Sequence, residues 1–274
     1  MSRSISPVRL WSERTALTLI LLTLLAPVLW LISVAYKPAR DIFSFPPSLA
    51  FTPTLANFDK IFAIFDMPGI LWNSVVIAAG STLLSLLLGV PAGYALARSG
   101  WRYAAGVAYF FLVIRMVPPT ATLIPFYLMM RDLGLLGGYL SVILINAVFN
   151  AAFVVWMMYT YFRSLPKELE EAALSDGCTQ VGAFLRVALP LVVPGIIASS
   201  MFCIILAWNN FLFPAFLTIA DTKPLSVAIL SAYGTKDITW GTMGAFAHVL
   251  ILPMIVMTLA LNRYFISGWT RGIN

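Results

Sequence analysis

Long apolar runs alternate with shorter polar segments along the chain. Each of six runs reaches the roughly 20 helical residues that cross the hydrocarbon core of a bilayer, so each predicts one transmembrane helix. The runs cover residues 15–36, 70–97, 104–129, 138–161, 191–216 and 242–264. The pattern predicts an all-α integral membrane protein with six spans in one transmembrane domain, residues 1–274.

The first apolar run follows Arg3, Arg9 and Arg14, a charged start that secretory signal peptides share. A signal peptide has an apolar region of about 7 to 15 residues, whereas this run has the roughly 20 needed for a span. We therefore expect a retained helix. Residues 37–69 follow with five prolines, so we expect an ordered but irregular loop exposed to water.

The composition agrees with a membrane protein and excludes other classes. Of 274 residues, 61% are hydrophobic and 10% are charged, whereas soluble domains average about 25% charged residues. The net charge of +6 comes without a cluster of Lys and Arg, so membrane lipid is an expected partner and nucleic acid is not. Cys178 and Cys203 make neither a disulfide framework nor a metal site.

Basic residues set the expected orientation, because Lys and Arg resist translocation. With the N-terminus inside, the inner segments hold ten Lys and Arg and the outer segments hold six, while Arg115 falls within a span. The net charge is then +5 inside and 0 outside. We predict an N-in, C-in topology, which places the segment between the fourth and fifth spans in the cytoplasm.

That segment, residues 163–190, is the longest amphipathic insertion in the chain. We place Pro166 in the first turn of a short helix, where a proline is tolerated. Glu168, Glu170 and Glu171 follow where the positive end of the helix dipole favours carboxylates. Gly177 is expected to end this helix.

A second short amphipathic helix should follow the glycine, because four apolar residues recur at helical spacing: Val181, Phe184, Leu185 and Ala188. We expect Leu189-Pro190 to break it before the next span. Two short helices that meet at a glycine make a compact knob, which the groove of a partner can receive.

Residues of this segment resemble the EAA loop of the membrane subunits of binding-protein-dependent ABC importers. The resemblance lies in Glu171-Ala172-Ala173, Asp176-Gly177, Leu189-Pro190 and Pro194-Gly195. Three further stretches resemble the carbohydrate branch of the family, which includes the second membrane subunit of the maltose transporter: RMVPPTATLIPFY (115–127), AWNNFLFP (207–214) and RYFISGWTRG (263–272). Cys178 departs from the small apolar residue that the family often has there.

The resemblance implies a permease subunit of a carbohydrate ABC importer in a bacterial or archaeal inner membrane. Its implied partners are a second homologous permease, two ATP-binding cassette ATPase subunits and an extracytoplasmic solute-binding protein. ATP and Mg would be bound by the ATPases, and this chain would hold no cofactor. The loop would be the coupling helix that docks into the ATPase, through Glu168, Glu171, Ala172, Ala173, Asp176, Gly177, Leu189 and Pro190.

The residues themselves offer no candidate for catalysis or ion coupling. Gly-Lys occurs nowhere, so the chain has no phosphate-binding GxxxxGK[ST] loop. No Asp or Glu lies within the predicted spans, and His248, the sole histidine, is expected to be a packed core residue. We expect a transport subunit and not an enzyme. An ABC importer for another solute and an ion-coupled secondary transporter stay as alternatives.

Arg115 is the most informative residue inside a span. It lies about 14 residues beyond Trp101, roughly 20 Å at 1.5 Å per residue, near the middle of the bilayer. It should face the bundle interior or a cavity. Arg115 is then either a pore-lining donor to sugar hydroxyls or an anionic group, or a buried arginine satisfied by carbonyls freed where Pro118-Pro119 kink or unwind the helix.

Amide and indole side chains mark the fourth and fifth spans: Asn146, Asn150, Trp208, Asn209 and Asn210. Amides bind sugar hydroxyls and aromatic rings bind the apolar sugar face, so the group suits a carbohydrate path. Interhelical hydrogen bonding explains the Asn residues equally well. In the second span, Gly89 and Gly93 form GxxxG, which predicts close helix packing.

The outer loop, residues 217–241, corresponds in the carbohydrate branch to a segment that reaches into the binding protein. Its candidate docking residues are Asp221, Lys223, Tyr233, Lys236 and Asp237. The tail from Gly268 to Asn274 resembles one that lies near the ATPase interface, although it ends sooner than in many members.

Overall fold

The computed structural model describes residues 7–48, 50–232 and 239–270, and within them the chain is helical without a β-strand. In chain order the helices are α1 (Pro7–Tyr36), α2 (Ala39–Ile42), α3 (Ala56–Ile64), α4 (Met67–Arg98), α5 (Ala104–Ile114), α6 (Pro119–Asp132), α7 (Tyr139–Ser164), α8 (Glu168–Ser175), α9 (Gln180–Ala183), α10 (Leu189–Leu191), α11 (Val193–Asn209), α12 (Leu212–Leu217), α13 (Leu225–Ala232) and α14 (Trp240–Thr270). A π-helical turn (Phe184–Ala188) joins α9 to α10, and a 3-10 turn covers Ala220–Thr222.

Four helical segments are each long and apolar enough to cross a membrane: Glu13–Tyr36, Met67–Arg98, Tyr139–Ser164 and Trp240–Ala260. Two helix pairs pass the same test only together, because each is bent at a break. The bend is 88° between α5 and α6, and 74° between Gln180–Leu191 and Val193–Asn209. The described residues thus contain four candidate spans, or up to six if each bent pair is one span.

The predicted third span is broken at its prolines. α5 ends at Ile114 and α6 begins at Pro119, so Arg115 stands at the break. Pro118 has an extended backbone (φ −59°, ψ 127°), and neither proline can donate a backbone hydrogen bond to the preceding turn. The prediction that these prolines kink or unwind the helix is confirmed.

The helix of the predicted fifth span, residues 191–216, is interrupted. α11 ends at Asn209, and α12 begins only at Leu212. The carbonyl oxygen of Asn210 accepts a hydrogen bond from the Ser226 hydroxyl at 2.8 Å. Pro214 has no N–H to return to that carbonyl, so the helical hydrogen bond is missing at this point. Apolarity alone did not reveal this interruption.

The prediction of an irregular, exposed loop over 37–69 is partly wrong. α3 lies within it and buries Asn57, whose side-chain amide donates to the carbonyl oxygens of Ala35 (2.9 Å) and Lys37 (3.0 Å). The Lys37 residue is 1% exposed, and its ammonium lies 4.0 Å from the centre of the Trp30 ring. An aromatic neighbour can hold a buried lysine in this way, which proline content does not predict.

By its internal contacts the chain divides into two compact units, Met1–Met67 with Ile229–Leu252 and Pro68–Ala228 with Pro253–Asn274. In the first unit His248 packs edge-on against the rings of Tyr36 and Phe58, and its Nε2 lies 3.4 Å from the Tyr36 hydroxyl. His248 is thus a packed residue, as predicted. The assignment of residues 1–274 to one transmembrane domain stays a prediction.

In the second unit, two glycines let α4 approach α7 closely. A Cβ added at Gly89 would stand 2.7 Å from the Cβ of Val154, and one at Gly93 would stand 2.8 Å from the Cβ of Met158. Both distances are well below van der Waals contact, so only glycine fits. The prediction that GxxxG marks close helix packing is confirmed.

Candidate functional site

The first candidate site is an acidic knob, residues 168–188, formed by α8, α9 and the π-helical turn. Gly177 lies in the left-handed region at φ +89°, where glycine is favoured, and its N–H bonds to the Leu174 carbonyl at 3.0 Å as α8 ends. The Thr179 side chain then caps α9 by accepting from the Gly182 N–H at 3.1 Å. Two short helices therefore meet at Gly177, as predicted.

α8 begins slightly later in the sequence than predicted. Lys167 is the N-cap of the helix, so Pro166 lies just before α8 and not in its first turn. Leu165 is extended (φ −80°, ψ 134°), which is the conformation favoured before a proline and which ends α7. Glu168, Glu170 and Glu171 do occupy the first turn, where the helix dipole stabilises them.

The prediction that Leu189-Pro190 breaks the second short helix is wrong. In the π-helical turn the N–H of Leu189 reaches the Phe184 carbonyl five residues back, and α10 carries the chain past Pro190. The break falls at Val192, where the direction changes by 74°. Pro194 then stands in the first turn of α11, where no backbone donor is needed.

The predicted coupling residues lie mostly on the surface of the knob. Six are exposed (Glu168, Glu171, Ala172, Asp176, Gly177 and Pro190), and Ala173 and Leu189 are half-buried. Four large apolar side chains are exposed beside them: Leu169, Leu174, Val181 and Leu185. An apolar surface in this polar segment is typical of a protein interaction site.

Only part of the expected apolar face of the second short helix is packed against the rest of the protein. The ring of Phe184 and the buried Ala188 pack against the core, whereas Val181 and Leu185 point outward. The helix lies on the surface of its unit, so only one edge of its apolar face finds a neighbour. The sequence did not predict this exposure.

Glu170, which was not among the predicted coupling residues, ties the knob to α4. One carboxylate oxygen accepts from Arg98 Nη2 at 2.6 Å and Nε at 2.9 Å, and the other accepts from the Tyr94 hydroxyl at 2.7 Å. Glu170 is 7% exposed, and a carboxylate buried to this extent needs such charge-assisted partners. We call Tyr94, Arg98 and Glu170 the clasp.

Aromatic packing reinforces the clasp. The ring of Tyr94 lies 4.5 Å, centroid to centroid, from Phe184 in the knob and 5.1 Å from Phe162 in α7. The knob therefore contacts α4 through both polar and apolar groups and α7 through aromatic packing.

The second candidate site is a cavity of about 670 Å³ in the same unit. It lies where the break after α5, the middle of α7 and the break after α11 come together. Its lining is Arg115, Pro119, Thr120, Asn146, Phe149, Asn150, Ile205, Leu206, Asn209, Asn210, Phe211, Leu212 and Phe213. Five of the six predicted path residues thus share one cavity; the sixth, Trp208, is buried and outside this lining.

Two hydrogen bonds of the cavity's amides join helices or their ends, and a third lies within α11. Asn210 Nδ2 donates to Asn146 Oδ1 at 2.5 Å, Asn150 Nδ2 donates to the carbonyl of Cys203 at 3.3 Å, and Asn209 Nδ2 donates to that of Ile205 at 2.8 Å. For Asn146, Asn150 and Asn210 the two interpretations, helix packing and cavity lining, therefore apply together. Asn146 Nδ2 is buried and has no hydrogen-bond partner among the described residues.

Arg115 is half-buried, and its guanidinium carbon lies 5.3 Å from the centre of the Phe153 ring. Across the described ranges it makes neither a hydrogen bond nor an ion pair, so the carbonyls near Pro118 and Pro119 are not its partners. The guanidinium is available to the cavity.

In the loop of residues 217–241, which is predicted to lie outside, Asp221 and Lys223 are fixed through their backbone. The side-chain amide of Asn73 donates to both of their carbonyl oxygens at 3.0 Å, and Asn73 accepts from the Tyr139 hydroxyl at 2.6 Å. Asp221 is exposed and Lys223 is half-buried. The other predicted docking residues, Tyr233, Lys236 and Asp237, lie outside the described residues.

A chain of a solved bacterial ABC transporter involved in the import of the acidic polysaccharide alginate has the same fold, with a TM-score of 0.79 over 97% of this chain and 99% of that chain, at 23% identity. The family model of binding-protein-dependent transport system inner membrane components matches residues 85–271. The chain belongs to this family.

Curated relatives agree over nearly the full length. The chain is 33% identical over 248 residues to the probable ABC transporter permease protein y4oR of Sinorhizobium fredii, covering 90% of this chain and 89% of the relative. It is 32% identical over 283 residues to the arabinooligosaccharides transport system permease protein AraQ of Halalkalibacterium halodurans, covering 99% of each.

Membership in the family settles several points. The chain is a multi-pass membrane protein and a transport component rather than an enzyme, as predicted. The family also implies association with ATPase and binding-protein partners.

Proposed function

We propose that the chain is the permease subunit forming half of the translocation path of an ATP-driven importer of a sugar or sugar derivative. It crosses a bacterial or archaeal inner membrane six times, N-in and C-in, as one transmembrane domain. A second homologous permease supplies the other half, two ATPase subunits bind ATP and Mg, and the binding protein docks at the outer loop that carries Asp221 and Lys223. In this orientation the acidic knob is cytoplasmic and is the coupling helix.

The observation that carries the carbohydrate assignment is the convergence of Asn146, Asn150, Asn209 and Asn210 on one cavity. Amides bind hydroxyl groups as donor and acceptor, and the stacked rings of Phe149 and Phe213, 5.6 Å apart, provide an apolar wall. Large cavities with a few fixed polar groups are typical of small-molecule sites. The relative named for arabinooligosaccharide transport supports the same class.

The coupling assignment is supported by the surface of the knob. Its carboxylates and exposed leucines offer the ATPase both charged and apolar contacts, and the clasp joins the same helix to α4. ATP-driven closure of the ATPases would displace the knob, and the clasp would pass that displacement to the helices around the cavity. Substrate then crosses the membrane without a change in its covalent structure.

Uptake by the reconstituted transporter tests the function. Proteoliposomes holding both permeases and the ATPases, with binding protein on the side opposite the ATPases, should accumulate a labelled sugar only when ATP is supplied on the ATPase side. Competition by unlabelled sugars, but not by amino acids, separates this proposal from an importer of another solute. Uptake that follows a proton or sodium gradient without the ATPases would establish a secondary transporter instead.

Replacing Gly177 with valine should abolish the stimulation of ATP hydrolysis by substrate-loaded binding protein while the protein stays in the membrane. A β-branched residue at φ +89° is strained by about 1–2 kcal/mol, so the angle between the two helices of the knob changes. Gly134→Val is the matched control: Gly134 also has positive φ and open space around it, but it lies after α6. Equal stimulation in both variants would contradict the assignment of Gly177.

Replacing Glu171 with lysine should reduce the stimulation of ATP hydrolysis by substrate-loaded binding protein at least tenfold. Glu171 is exposed on the knob, so the change leaves the fold intact and reverses one charge at the docking surface. Asp132→Lys, an equally exposed reversal outside the knob, is the control. If substrate-loaded binding protein stimulated ATP hydrolysis normally in Glu171→Lys, Glu171 would not be part of the interface with the ATPase.

A further inference from the structure

Three features of the cavity favour a ligand that carries a negative charge. The first is Arg115, whose guanidinium has no ionic or hydrogen-bond partner within the described ranges. Arginine keeps its charge at any physiological pH, and its planar fork matches a carboxylate. None of the residues that line the cavity is acidic, so no lining side chain neutralises it.

The second feature is the beginning of α6. Pro119 and Thr120, the first two residues of this 14-residue helix, line the cavity, and no side chain caps the helix. The positive end of a helix dipole attracts anions. Pro119 has no N–H and the N–H of Ala121 bonds to the Pro118 carbonyl, so the dipole and the N–H of Thr120 are what this helix end offers. In membrane transporters, the ends of interrupted helices bind anionic groups of substrates in this way.

The third feature is Asn146. It is 4% exposed, its Oδ1 already accepts from Asn210, and its Nδ2 has no partner within the described part of the chain. A buried donor without an acceptor is costly, and an oxygen of a bound ligand would satisfy it. The guanidinium, the start of α6 and Asn146 all line one cavity, and the Asn146 Nδ2 itself is covered by protein atoms.

We propose that the cavity binds the carboxylate of an acidic carbohydrate, such as a sugar built from uronic acids. Arg115 holds the carboxylate together with the start of α6, while the amides contact the hydroxyls. A neutral sugar would offer the guanidinium hydroxyl acceptors but no counter-charge, so it would lack the charge-assisted hydrogen bonds that a carboxylate makes. This inference rests on the proposed function and narrows its substrate class.

A matched pair of disaccharides tests it: digalacturonate and galactobiose, which differ by carboxylate in place of CH₂OH. Binding of each is measured by saturation-transfer NMR on the assembled transporter in nanodiscs, without binding protein, so that the permeases alone select. A free-energy difference of about 1.4 kcal/mol changes a binding affinity tenfold. A charge-assisted hydrogen bond contributes about that much or more, so digalacturonate should bind about tenfold more tightly than galactobiose.

Arg115→Gln should remove this preference and leave the binding of galactobiose within about twofold. Asn146→Asp should also lower the preference, because it adds a negative charge to the lining of the same cavity. Arg131→Gln is the control, since Arg131 is exposed and paired with Asp132 outside the cavity. A loss of both sugars in Arg115→Gln would indicate a structural role and overturn the proposal.

Equal binding of the two disaccharides by the wild-type transporter, or absence of digalacturonate binding, would also overturn it. Neither result would contradict the proposed function of ATP-driven sugar import, because that function is tested separately by ATP-dependent uptake of a neutral sugar. Loss of ATP-dependent uptake for every sugar, with the acid preference retained, would instead contradict the importer assignment and keep the anion site.

Discussion

Replacing Arg98 with methionine is expected to abolish the stimulation of ATP hydrolysis by loaded binding protein and to destabilise the permease. The change leaves the carboxylate of Glu170 buried without its cation, and breaking a buried ion pair from one side costs about 3–5 kcal/mol. α8 would then leave α4, because a hydrogen bond from Tyr94 alone does not offset that cost. The movement of the knob would no longer reach α4.

The double variant Arg98→Met with Glu170→Gln separates coupling from stability. It removes both charges together, so thermal stability should recover while stimulated ATPase activity stays low. Arg102→Met is the matched control, because Arg102 is exposed and only four residues further along. Full stimulation in the double variant would show that the clasp serves stability alone.

Replacing Gly93 with leucine should separate α4 from α7 and remove most folded protein from the membrane. The new Cβ would stand 2.8 Å from the Cβ of Met158 and 2.9 Å from the backbone nitrogen of Tyr159, and a backbone atom cannot yield as a side chain can. Overpacking of a core typically costs about 1–3 kcal/mol, and here both helices would have to shift as well.

Size-exclusion chromatography of the detergent-solubilised protein after heating measures this effect. Gly106→Leu in α5 is the control, because no heavy atom lies within 4 Å of its added Cβ. It should elute as wild type, and helix propensity even favours the change. If Gly93→Leu survived heating as well as Gly106→Leu, the close approach of α4 and α7 would be wrong.

The helices could be predicted from the sequence because their signals are local. Span lengths follow from runs of apolar residues, and the break at Pro118-Pro119 follows from missing backbone donors. The end of α8 at Gly177 likewise follows from one residue that tolerates positive φ. By contrast, the interruption at Asn210 has a local and a distant part. Pro214 lacks the N–H that the Asn210 carbonyl would accept from, and the hydroxyl of Ser226, sixteen residues away, donates to that carbonyl instead. The sequence does not reveal the second contact.

The residues of the candidate site that could be predicted are likewise those whose signal is local in the sequence. Polar residues inside spans are rare, so Arg115 and the four asparagines stood out from the sequence. Glu170 did not, because it is one of three similar glutamates and only the fold brings Arg98, 72 residues earlier, to its carboxylate. Trp208 was included because indoles suit sugars, but its position in α11 directs it into the packed core.

Docking of the acidic knob on the ATPase is the central claim, and photo-crosslinking tests it most directly. A photoreactive residue replaces Leu174, which is 38% exposed beside the predicted coupling residues, and a second variant carries the same residue at Ile219 in the outer loop. In the assembled transporter, position 174 should crosslink to an ATPase subunit and position 219 should not. Labelling of position 174 from outside the cell, or no ATPase adduct in an active transporter, would contradict the account.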